Sequence, residues 1–375
     1  MIVVKEVKTR KEIKQFINLP IDMYKGNPNF VPPLYSSERE CFKKKNPFSS
    51  ACDTVYYLAY HDDKVVGRIS GIIQKDANEK WKQKRVRFTR FDSINNQEVA
   101  NALFSAVENW AKNEGMTEIC GPLGFNDLER EGLLIEGFDQ LSTFEEQYNF
   151  EYYQHLIEKY GFKGETDWSE REIRIPKDQS QIDKYNRISE LVMRKHKLSY
   201  IVEKSVPIFI RKHKDEFFAL LDDTYSDLYG TCPIRKEVQK SLLVGFKLLL
   251  RSDNIVGIKN EKGEMIAFGL YFPSIAKALQ PSGGRLTPAA IMRVLKAIKK
   301  PEILDFGLIG VRKDYRNLGV PAMLMTVAVK LLKTGKYDHF ETNLTLDTNL
   351  DIITLLEHFD YKLHKRRRSY CKTIY

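Results

Sequence analysis

Two β-rich segments share one pattern of hydrophobic and polar positions. Residues 55–73 place two apolar runs on either side of a polar His-Asp-Asp-Lys turn, a pattern that predicts a β-hairpin. Residues 255–272 repeat this design around a charged turn that contains Gly263. One supersecondary unit is therefore expected to occur twice in the chain.

The elements that follow each hairpin also come in the same order. After the first hairpin, apolar periodicity predicts a strand at 86–91, a helix at 96–113, a strand at 116–120 and a helix at 151–160. After the second, it predicts a strand at 302–311, a helix at 321–332, a strand at 339–346, a helix at 351–358 and a strand at 361–373. We therefore expect a mixed α/β fold that is present twice in tandem.

The chain length and one polar segment indicate where the two copies meet. With 375 residues, the chain exceeds the size at which a single hydrophobic core keeps growing. Residues 174–184 contain a proline and show no apolar periodicity, as expected of a connection. We predict an N-terminal domain at 1–178 and a C-terminal domain at 179–375.

Composition narrows the classes of partner. The formal net charge of +10 favours an anionic partner, for which nucleic acid, a membrane surface and a polyphosphorylated cosubstrate all qualify. Nucleic acid is the weaker choice, since no zinc-finger spacing or RNA-binding aromatic strand is visible.

The five cysteines and seven histidines are scattered, which predicts no metal. Without an apolar export signal or a spanning segment, we expect a cytoplasmic protein.

Residues 302–324 carry the most informative pattern. An apolar strand runs into a polar turn and then, after Gly319, into an amphipathic helix. Helix N-termini present unpaired N–H groups and a partial positive charge, so this layout suits a pyrophosphate. The alternative is that Arg316 and Gly319 are ordinary turn residues and that Asn349 only caps a helix.

The turn resembles the R/Q-x-x-G-x-G/A signature of the GNAT superfamily, carried here by residues 316–319, with Asn349 beginning a later helix. The resemblance implies two tandem GNAT folds and acyl-CoA, or coenzyme A, as cosubstrate. The residues that it assigns to the coenzyme are Ile309, Gly310, Val311, Arg316, Asn317, Leu318, Gly319, Val320, Ala322 and Asn349. Pro321 departs from the signature. Leu356 stands where many members have a tyrosine that acts as a general acid.

A longer resemblance covers nearly the whole chain. Residues 121–139 and 283–300 resemble the tandem-GNAT family that includes bacterial ceramide synthase-like acyltransferases. This implies acyl-CoA-dependent acylation of a primary amine, either a small molecule or a lipid such as a sphingoid-type amine. Residues 91–99 lack a glycine where strand enters helix, so the cofactor site of the first domain is expected to be degenerate.

Acyl transfer to an amine requires removal of a proton from nitrogen and stabilisation of an oxyanion. Asp305 is the candidate base, because superfamily members place a carboxylate at similar spacing; the alternative is a carboxylate paired with a neighbouring cation. A backbone N–H within 309–311 is the candidate oxyanion donor, which a β-bulge would aim. Tyr225 and Tyr229 are candidates for the acceptor pocket, or else for core packing.

Alternatives of a different class stay open. A non-catalytic GNAT-fold protein that binds a ligand or partner is favoured by Pro321, Leu356 and the degenerate first domain. Chemistry linked to aminoacyl-tRNA would use the positive charge. Residues 291–300 alternate apolar and basic positions at helical spacing, which is typical either of a surface helix or of peripheral contact at the inner membrane surface.

Overall fold

The computed structural model describes residues 1–374, which form one mixed sheet with helices on both faces. The strands of the first half are β1 (Ile2–Glu6), β2 (Cys52–His61), β3 (Lys64–Gln74), β4 (Arg85–Ser93), β5 (Glu118–Gly121), β6 (Leu133–Glu136) and β7 (Lys163–Arg174). Its helices are α1 (Arg10–Met23), α2 (Tyr35–Glu40), α3 (Lys75–Trp81), α4 (Gln97–Asn113) and α5 (Tyr152–Lys159).

The second half repeats the same arrangement. Its strands are β8 (Ser199–Tyr200), β9 (Ile255–Lys259), β10 (Met265–Pro273), β11 (Ile303–Val311), β12 (His339–Thr342), β13 (Thr345–Leu346) and β14 (Asp360–Thr373). Its helices are α6 (Gln179–Lys195), α7 (Val206–Tyr225), α8 (Lys236–Leu249), α9 (Ala276–Leu279), α10 (Pro288–Lys299), α11 (Val320–Lys333) and α12 (Leu350–Leu356). Each helix in residues 1–374 is too short or too polar to cross a bilayer.

The sheet confirms the predicted repeat. Its strand order is β1-β2-β3-β4-β5-β14-β7-β12-β11-β10-β9-β8. The hairpin β2–β3 corresponds to β9–β10, and the parallel pair β4–β5 corresponds to β11–β12. The helix α4 packs on the first hairpin, and α11 occupies the equivalent place in the second half. The predicted α/β class and the tandem arrangement are therefore both found.

The two halves exchange strands at the centre of the sheet. Strand β7, from the first half, lies between β12 and β14, while β14, from the second half, lies between β5 and β7. The pairing of β14 with β7 runs antiparallel from Asp360 opposite Arg174 to Cys371 opposite Lys163. The boundary at 178/179 stays a prediction, and the sheet itself is continuous across the two halves.

Buried charges hold the exchanged strands together. The Glu170 carboxylate on β7 accepts from Arg367 Nε at 2.6 Å and forms an ion pair with Lys365 Nζ at 2.9 Å, and all three side chains are buried. Lys365 also contacts Glu341 on β12 at 2.7 Å. Although burial alone would raise the pKa of Glu170, the two cations lower it to about 2. The ionised cluster therefore joins strands of both halves.

The polar segment 174–184 differs from its prediction as a connection, because α6 begins inside it. Asp178 caps this helix by accepting from the Ser180 N–H at 2.8 Å. The helix buries Ile182, Tyr185 and Val192. Tyr185 and Val192 lie after residue 184, so the segment 174–184 by itself shows no apolar periodicity. The predicted strand 339–346 is also divided, since β12 and β13 are separated by two residues.

Candidate functional site

A first cavity opens where β11 and β12 separate, and it encloses about 420 Å³. The two strands pair in parallel as far as Phe306 and Thr342. The chain then continues from β12 into β13, which pairs with β7 instead. Beyond Phe306, the peptide groups on this edge of β11 face the cavity, where a ligand can pair with them. One of them, the Ile309 N–H, donates to the Tyr225 hydroxyl at 3.4 Å.

A β-bulge lies in β11 just before Ile309. Leu308 pairs with Leu270 and Phe306 pairs with Tyr271, so Gly307 is the extra residue of the bulge. A Cβ atom at residue 307 would lie 2.1 Å from the Phe272 ring, which leaves room for glycine alone. The bulge changes which face of the sheet the following residues point to, and it sits beside the predicted oxyanion donor.

The far end of the first cavity is the junction between β11 and α11. Residues Lys313–Leu318 form a 3-10 helix, and Gly319 begins α11 with a φ of +83°. Arg316 donates from Nε to the Val311 carbonyl at 3.1 Å and from its terminal nitrogen to the Thr224 carbonyl at 3.3 Å. These two bonds hold the guanidinium against the cavity wall.

A second cavity of about 380 Å³ lies between the two halves and has one charged and one apolar wall. The charged wall belongs to the first half and includes Glu38, Arg68, Arg90, Asp92, Glu129, Arg130 and Glu145. The apolar wall belongs to the second half and includes Leu242, Phe246, Leu249, Phe272, Ile275 and Leu279. Ion pairs of 2.7 Å between Arg68 and Asp92 and of 3.0 Å between Arg90 and Glu38 fix the charged wall.

The two cavities are separated by a thin wall of side chains. Asn343, which lines the first cavity, donates its side-chain amide to Glu145 Oε2, which lines the second, at 2.7 Å. Gly307 of the first cavity lies directly against the ring of Phe272 of the second. Residues 127–131 complete this dividing wall, since Asp127 and Glu131 line the first cavity and residues 128–130 line the second.

Carboxyl groups in the dividing wall have raised pKa values. Burial raises the pKa of Asp127 to about 6, and burial together with Asp127 raises the pKa of Glu131 well above its ordinary value. Burial also raises the pKa of Glu145, against the opposing effect of the Asn343 hydrogen bond. The Asp127 carboxyl, with a pKa of about 6, can therefore exchange a proton near neutral pH.

Solved structures share this architecture over their whole length. A tandem GNAT protein from the clavulanic acid biosynthesis pathway superposes with a TM-score of 0.58 at 9% identity, covering 100% of this chain and 98% of that one. A GCN5-related N-acetyltransferase from Sphaerobacter thermophilus gives 0.52 at 8% identity, covering 100% and 96%. This chain has a tandem GNAT fold.

Curated relatives match the tandem GNAT chain along nearly all of its sequence. Protein YghO of Escherichia coli strain K12 is 25% identical over 97% of this chain and 94% of its own. The bacterial ceramide synthase of Caulobacter vibrioides is 24% identical over 98% of this chain and 96% of its own. No protein-family model matches the sequence. The predicted resemblance to tandem-GNAT proteins and to the ceramide synthase is confirmed.

The first cavity gathers most of the residues that the GNAT signature predicts for coenzyme binding. Those that line it are Ile309, Gly310, Val311, Arg316, Asn317 and Asn349. Leu318, Gly319, Val320 and Ala322 lie outside its walls, and Val320 and Ala322 are buried in the start of α11. The Ala322 N–H is already bonded to the Gly319 carbonyl at 3.0 Å. Asn349 caps α12 by accepting from the Ile352 N–H at 3.4 Å.

Both predicted acceptor-site tyrosines line the first cavity. Tyr225 is the last residue of α7, and Tyr229 lies in the loop beyond it rather than on the helix. The Tyr229 hydroxyl donates to the Glu165 carboxylate. Burial raises the pKa of both phenols, so both stay protonated near neutral pH. Of the two, Tyr225 contacts the peptide edge of β11 by accepting from the Ile309 N–H.

Asp305 is separate from the other predicted site residues. Its side chain is fully buried, lines neither cavity, and finds no hydrogen-bond partner for either carboxyl oxygen within residues 1–374. Burial, followed by the nearby Glu145 and Glu341, raises its pKa well above the ordinary value. The shift favours the protonated form of this carboxyl, and the role of Asp305 as base stays a prediction.

Two departures from the GNAT signature have structural counterparts. Pro321 and Leu356 both line the first cavity. The cavity wall therefore lacks a backbone N–H at residue 321 and a phenol at residue 356. In the first half, Asn96 accepts from the N–H groups of Glu98 and Val99 at the start of α4. Two of the N–H groups at this helix N-terminus are therefore already bonded, and the degenerate cofactor site of the first domain stays a prediction.

The sequence interpretation missed the side chains of the dividing wall. Residues 121–139 had been singled out, yet Asp127 and Glu131 had no assigned chemistry. Glu145 and Asn343 lie in loops without hydrophobic periodicity, and 198 positions separate them in the chain. Within residues 1–374 no group of His, Cys, Asp and Glu side chains is arranged to hold a metal ion.

Proposed function

We propose that this protein is an acyl-CoA-dependent N-acyltransferase. Acyl-CoA occupies the first cavity, a primary amine occupies the second, and the acyl group crosses the wall between them. The observation that supports this most directly is the hydrogen bond between Asn343 and Glu145, which joins one cavity to the other. A fold alone does not specify chemistry, so the proposal depends on this paired site.

The first cavity suits a thioester that carries a long amide-containing arm. The open edge of β11 beyond Phe306 offers peptide groups to the amides of a pantetheine chain. At the far end, Arg316 and the start of α11 supply positive charge for phosphates. The bulge at Gly307 brings the reactive end beside the second cavity. The Ile309 N–H, on release from Tyr225, is the candidate oxyanion donor.

Glu145 is the residue that we assign to deprotonation of the amine. An ammonium ion in the second cavity gives one proton to the Glu145 carboxylate and becomes nucleophilic. The nitrogen then attacks the thioester carbonyl carbon, so that the C–N bond forms and the C–S bond breaks. The second N–H proton neutralises the thiolate, and Glu145 later releases its own proton to solvent. The products are an amide and free coenzyme A.

The shape of the second cavity favours an amphiphilic amine. Its charged wall accommodates an amine and neighbouring hydroxyl groups, and its apolar wall, built from α8 and residues after β10, accommodates an aliphatic chain. A sphingoid-type lipid amine fits this combination. The name of the Caulobacter relative, bacterial ceramide synthase, supports the same class of acceptor.

The experiment that tests the proposal has two stages. Thermal unfolding with acetyl-CoA and with long-chain acyl-CoA measures binding, because a ligand of the folded state raises its stability by mass action. Release of free thiol is then followed with short aliphatic amines and with sphingoid-type amines. Binding followed by amine-dependent thiol release supports the proposal, whereas binding without release for every amine contradicts it.

A non-catalytic role is the second candidate. It is favoured by the two hydrogen bonds that tie Arg316 to protein carbonyls, since these engage the cation that would meet a phosphate. Under this alternative, a ligand binds between the halves and no acyl group moves. A shift in unfolding temperature with an amphiphilic amine, combined with no response to any thioester, would establish it.

A further inference from the structure

Exposed apolar side chains surround the entrance to the second cavity. Leu248 on α8 and Leu286 just before α10 both line the cavity and are also exposed to solvent. The entrance therefore lies between these two residues. The same two helices carry further exposed apolar side chains, which are Val244 on α8 and Ile291, Met292 and Leu295 on α10. Exposed apolar side chains on the helices that line a cavity are typical of an interaction site.

The same two helices carry a strong positive charge. Exposed lysines accompany the apolar residues, namely Lys236, Lys240 and Lys247 on α8 and Lys296, Lys299 and Lys300 at the end of α10. The segment of α10 contains no acidic residue, and that of α8 contains Glu237 alone. Helices that combine apolar and basic positions on an exposed face are typical of proteins that lie on anionic bilayers.

We propose that α8 and α10 form a membrane-docking surface that presses the entrance of the second cavity against an anionic bilayer. The apolar side chains enter the region of the headgroups while the lysines contact lipid phosphates. A lipid amine then passes between Leu248 and Leu286 into the cavity without crossing water. This last step rests on the proposed acyl transfer, whereas the docking itself does not.

Charge favours a bilayer over a partner protein as the occupant. Six lysines spread over two helices match an extended anionic surface, because each lysine near such a surface is attracted to the lipid phosphates. Leu248 and Leu286 are exposed and also line the cavity. An aliphatic chain that enters between them therefore meets apolar side chains first.

The test measures flotation of the full chain with vesicles of phosphatidylcholine alone and of an equal mixture with phosphatidylglycerol. We expect binding to the mixed vesicles and little binding to the neutral ones. A Val244→Glu/Met292→Glu variant changes side chains that are 71% and 69% exposed and that line neither cavity. Its partitioning onto mixed vesicles should fall by at least about tenfold.

A matched control keeps the same change away from the entrance. Leu191 and Val202 are 65% and 86% exposed, so a Leu191→Glu/Val202→Glu variant has the same charge and a comparable surface change. It should bind mixed vesicles as the unmodified chain does. The proposal is overturned if the unmodified chain ignores both kinds of vesicle, or if the two variants behave alike.

The outcome also separates this surface from the proposed function. If thiol release with a short soluble amine persists while vesicles are ignored, the docking surface is wrong and the acyl transfer stands. If vesicles are bound but no amine supports thiol release, the proposed function is wrong and the docking stands. A chain that elutes as a dimer, and becomes a monomer on Val244→Glu/Met292→Glu substitution, would show instead that the surface joins two copies.

Discussion

Asn343 donates its side-chain amide to the Glu145 carboxylate across the boundary between the two halves of the chain. The bond brings a loop after the central parallel strand pair of the second half against a loop of the first half. It is the point at which two cavities of similar size approach each other. Residues of both halves line each cavity, so neither half alone contains either cavity in full.

Glu145→Gln tests the assigned base. Glutamine keeps the shape and can still accept from Asn343, but it cannot take a proton. Turnover should fall by about 100-fold or more, the usual effect of removing a general base. Acyl-CoA binding, measured by thermal shift, should stay within about twofold because Glu145 lines the second cavity.

Asp305→Asn is the comparison for that experiment. Because burial raises the pKa of Asp305 and its side chain lines neither cavity, its replacement should change turnover by only about a few fold. If instead Asp305→Asn abolishes turnover and Glu145→Gln spares it, then Asp305 is the base, as the sequence predicted. The pair of variants thus distinguishes the two carboxyls.

Asp305 should also make stability depend on pH in a predictable direction. A carboxyl with a raised pKa in the folded state binds its proton more tightly there than in the unfolded chain. The stability that the protonated Asp305 carboxyl contributes is therefore complete below its unfolded-state pKa of about 4. This stability declines as the pH rises toward its folded-state pKa. Relative to the unmodified chain, Asp305→Asn should gain stability as the pH rises above about 4, by up to about 1.4 kcal/mol per pH unit, until the pH passes the folded-state pKa.

Urea unfolding at several pH values measures this difference. Glu108→Gln serves as the opposite control, since bonds from Lys372 and Tyr160 outweigh burial and lower the Glu108 pKa to about 2. That variant should lose stability at neutral pH, and the loss should disappear as the medium becomes acidic. A pH-independent effect of Asp305→Asn would show that its carboxyl is ionised in the folded protein.

Gly319→Ala tests the turn that begins α11. A Cβ atom there would lie 2.8 Å from Val192 Cγ2 on α6, and the φ of +83° is unfavourable for alanine. The free energy of unfolding should fall by about 2 to 4 kcal/mol from strain and overpacking together. Gly335→Ala is the matched control, with a φ of +66° and open space, and it should cost about 1 kcal/mol.

The same pair of variants tests the placement of coenzyme. Acyl-CoA affinity should fall for Gly319→Ala, because α11 must shift to relieve the contact with Val192, and should be unchanged for Gly335→Ala. Isothermal calorimetry at a temperature where both variants are folded provides the measurement. Equal affinities would place the phosphates away from this turn.

Lys365→Met tests the buried charges between the exchanged strands. Removing this cation leaves Glu170 and Glu341 buried with one partner fewer, which should cost about 3 to 5 kcal/mol. Lys372→Met, on the same strand, removes a partly exposed pair of 2.7 Å with Glu108 and should cost about 1 kcal/mol or less. Thermal or urea unfolding distinguishes the two, and equal losses would contradict a stabilising role for the buried cluster.

Local patterns were sufficient for most of the fold. The repeated hairpins, the α4 face with Val99 and Leu103, and the run from β11 through Gly319 into α11 all follow from periodicity and turn chemistry. Residues on that run, such as Ile309 and Arg316, were predicted to bind the coenzyme; both line the first cavity, and their role stays a prediction. Each of these features depends on neighbours within about 20 positions.

What the sequence did not reveal depends on contacts between distant segments. Nothing local marks β14 as a partner of β5, and nothing marks Glu145 as a partner of Asn343. The basic residues of β14 look like a solvated run, yet Arg367 and Lys365 are buried because Glu170 and Glu341 meet them from other strands. Helix α6 was missed because its start is polar and its buried positions come late.

The exchange of β7 and β14 has a consequence for how the protein is made. During synthesis, one edge of β5 stays unpaired until residues 360–373 have been made and can pair with it. A chain that ends early in the second half would lack β14, so the half already synthesised would keep β5 unpaired on one side. Splitting the gene between the two copies would likewise leave each product with an incomplete sheet. The two copies can diverge in chemistry, but they must be inherited together.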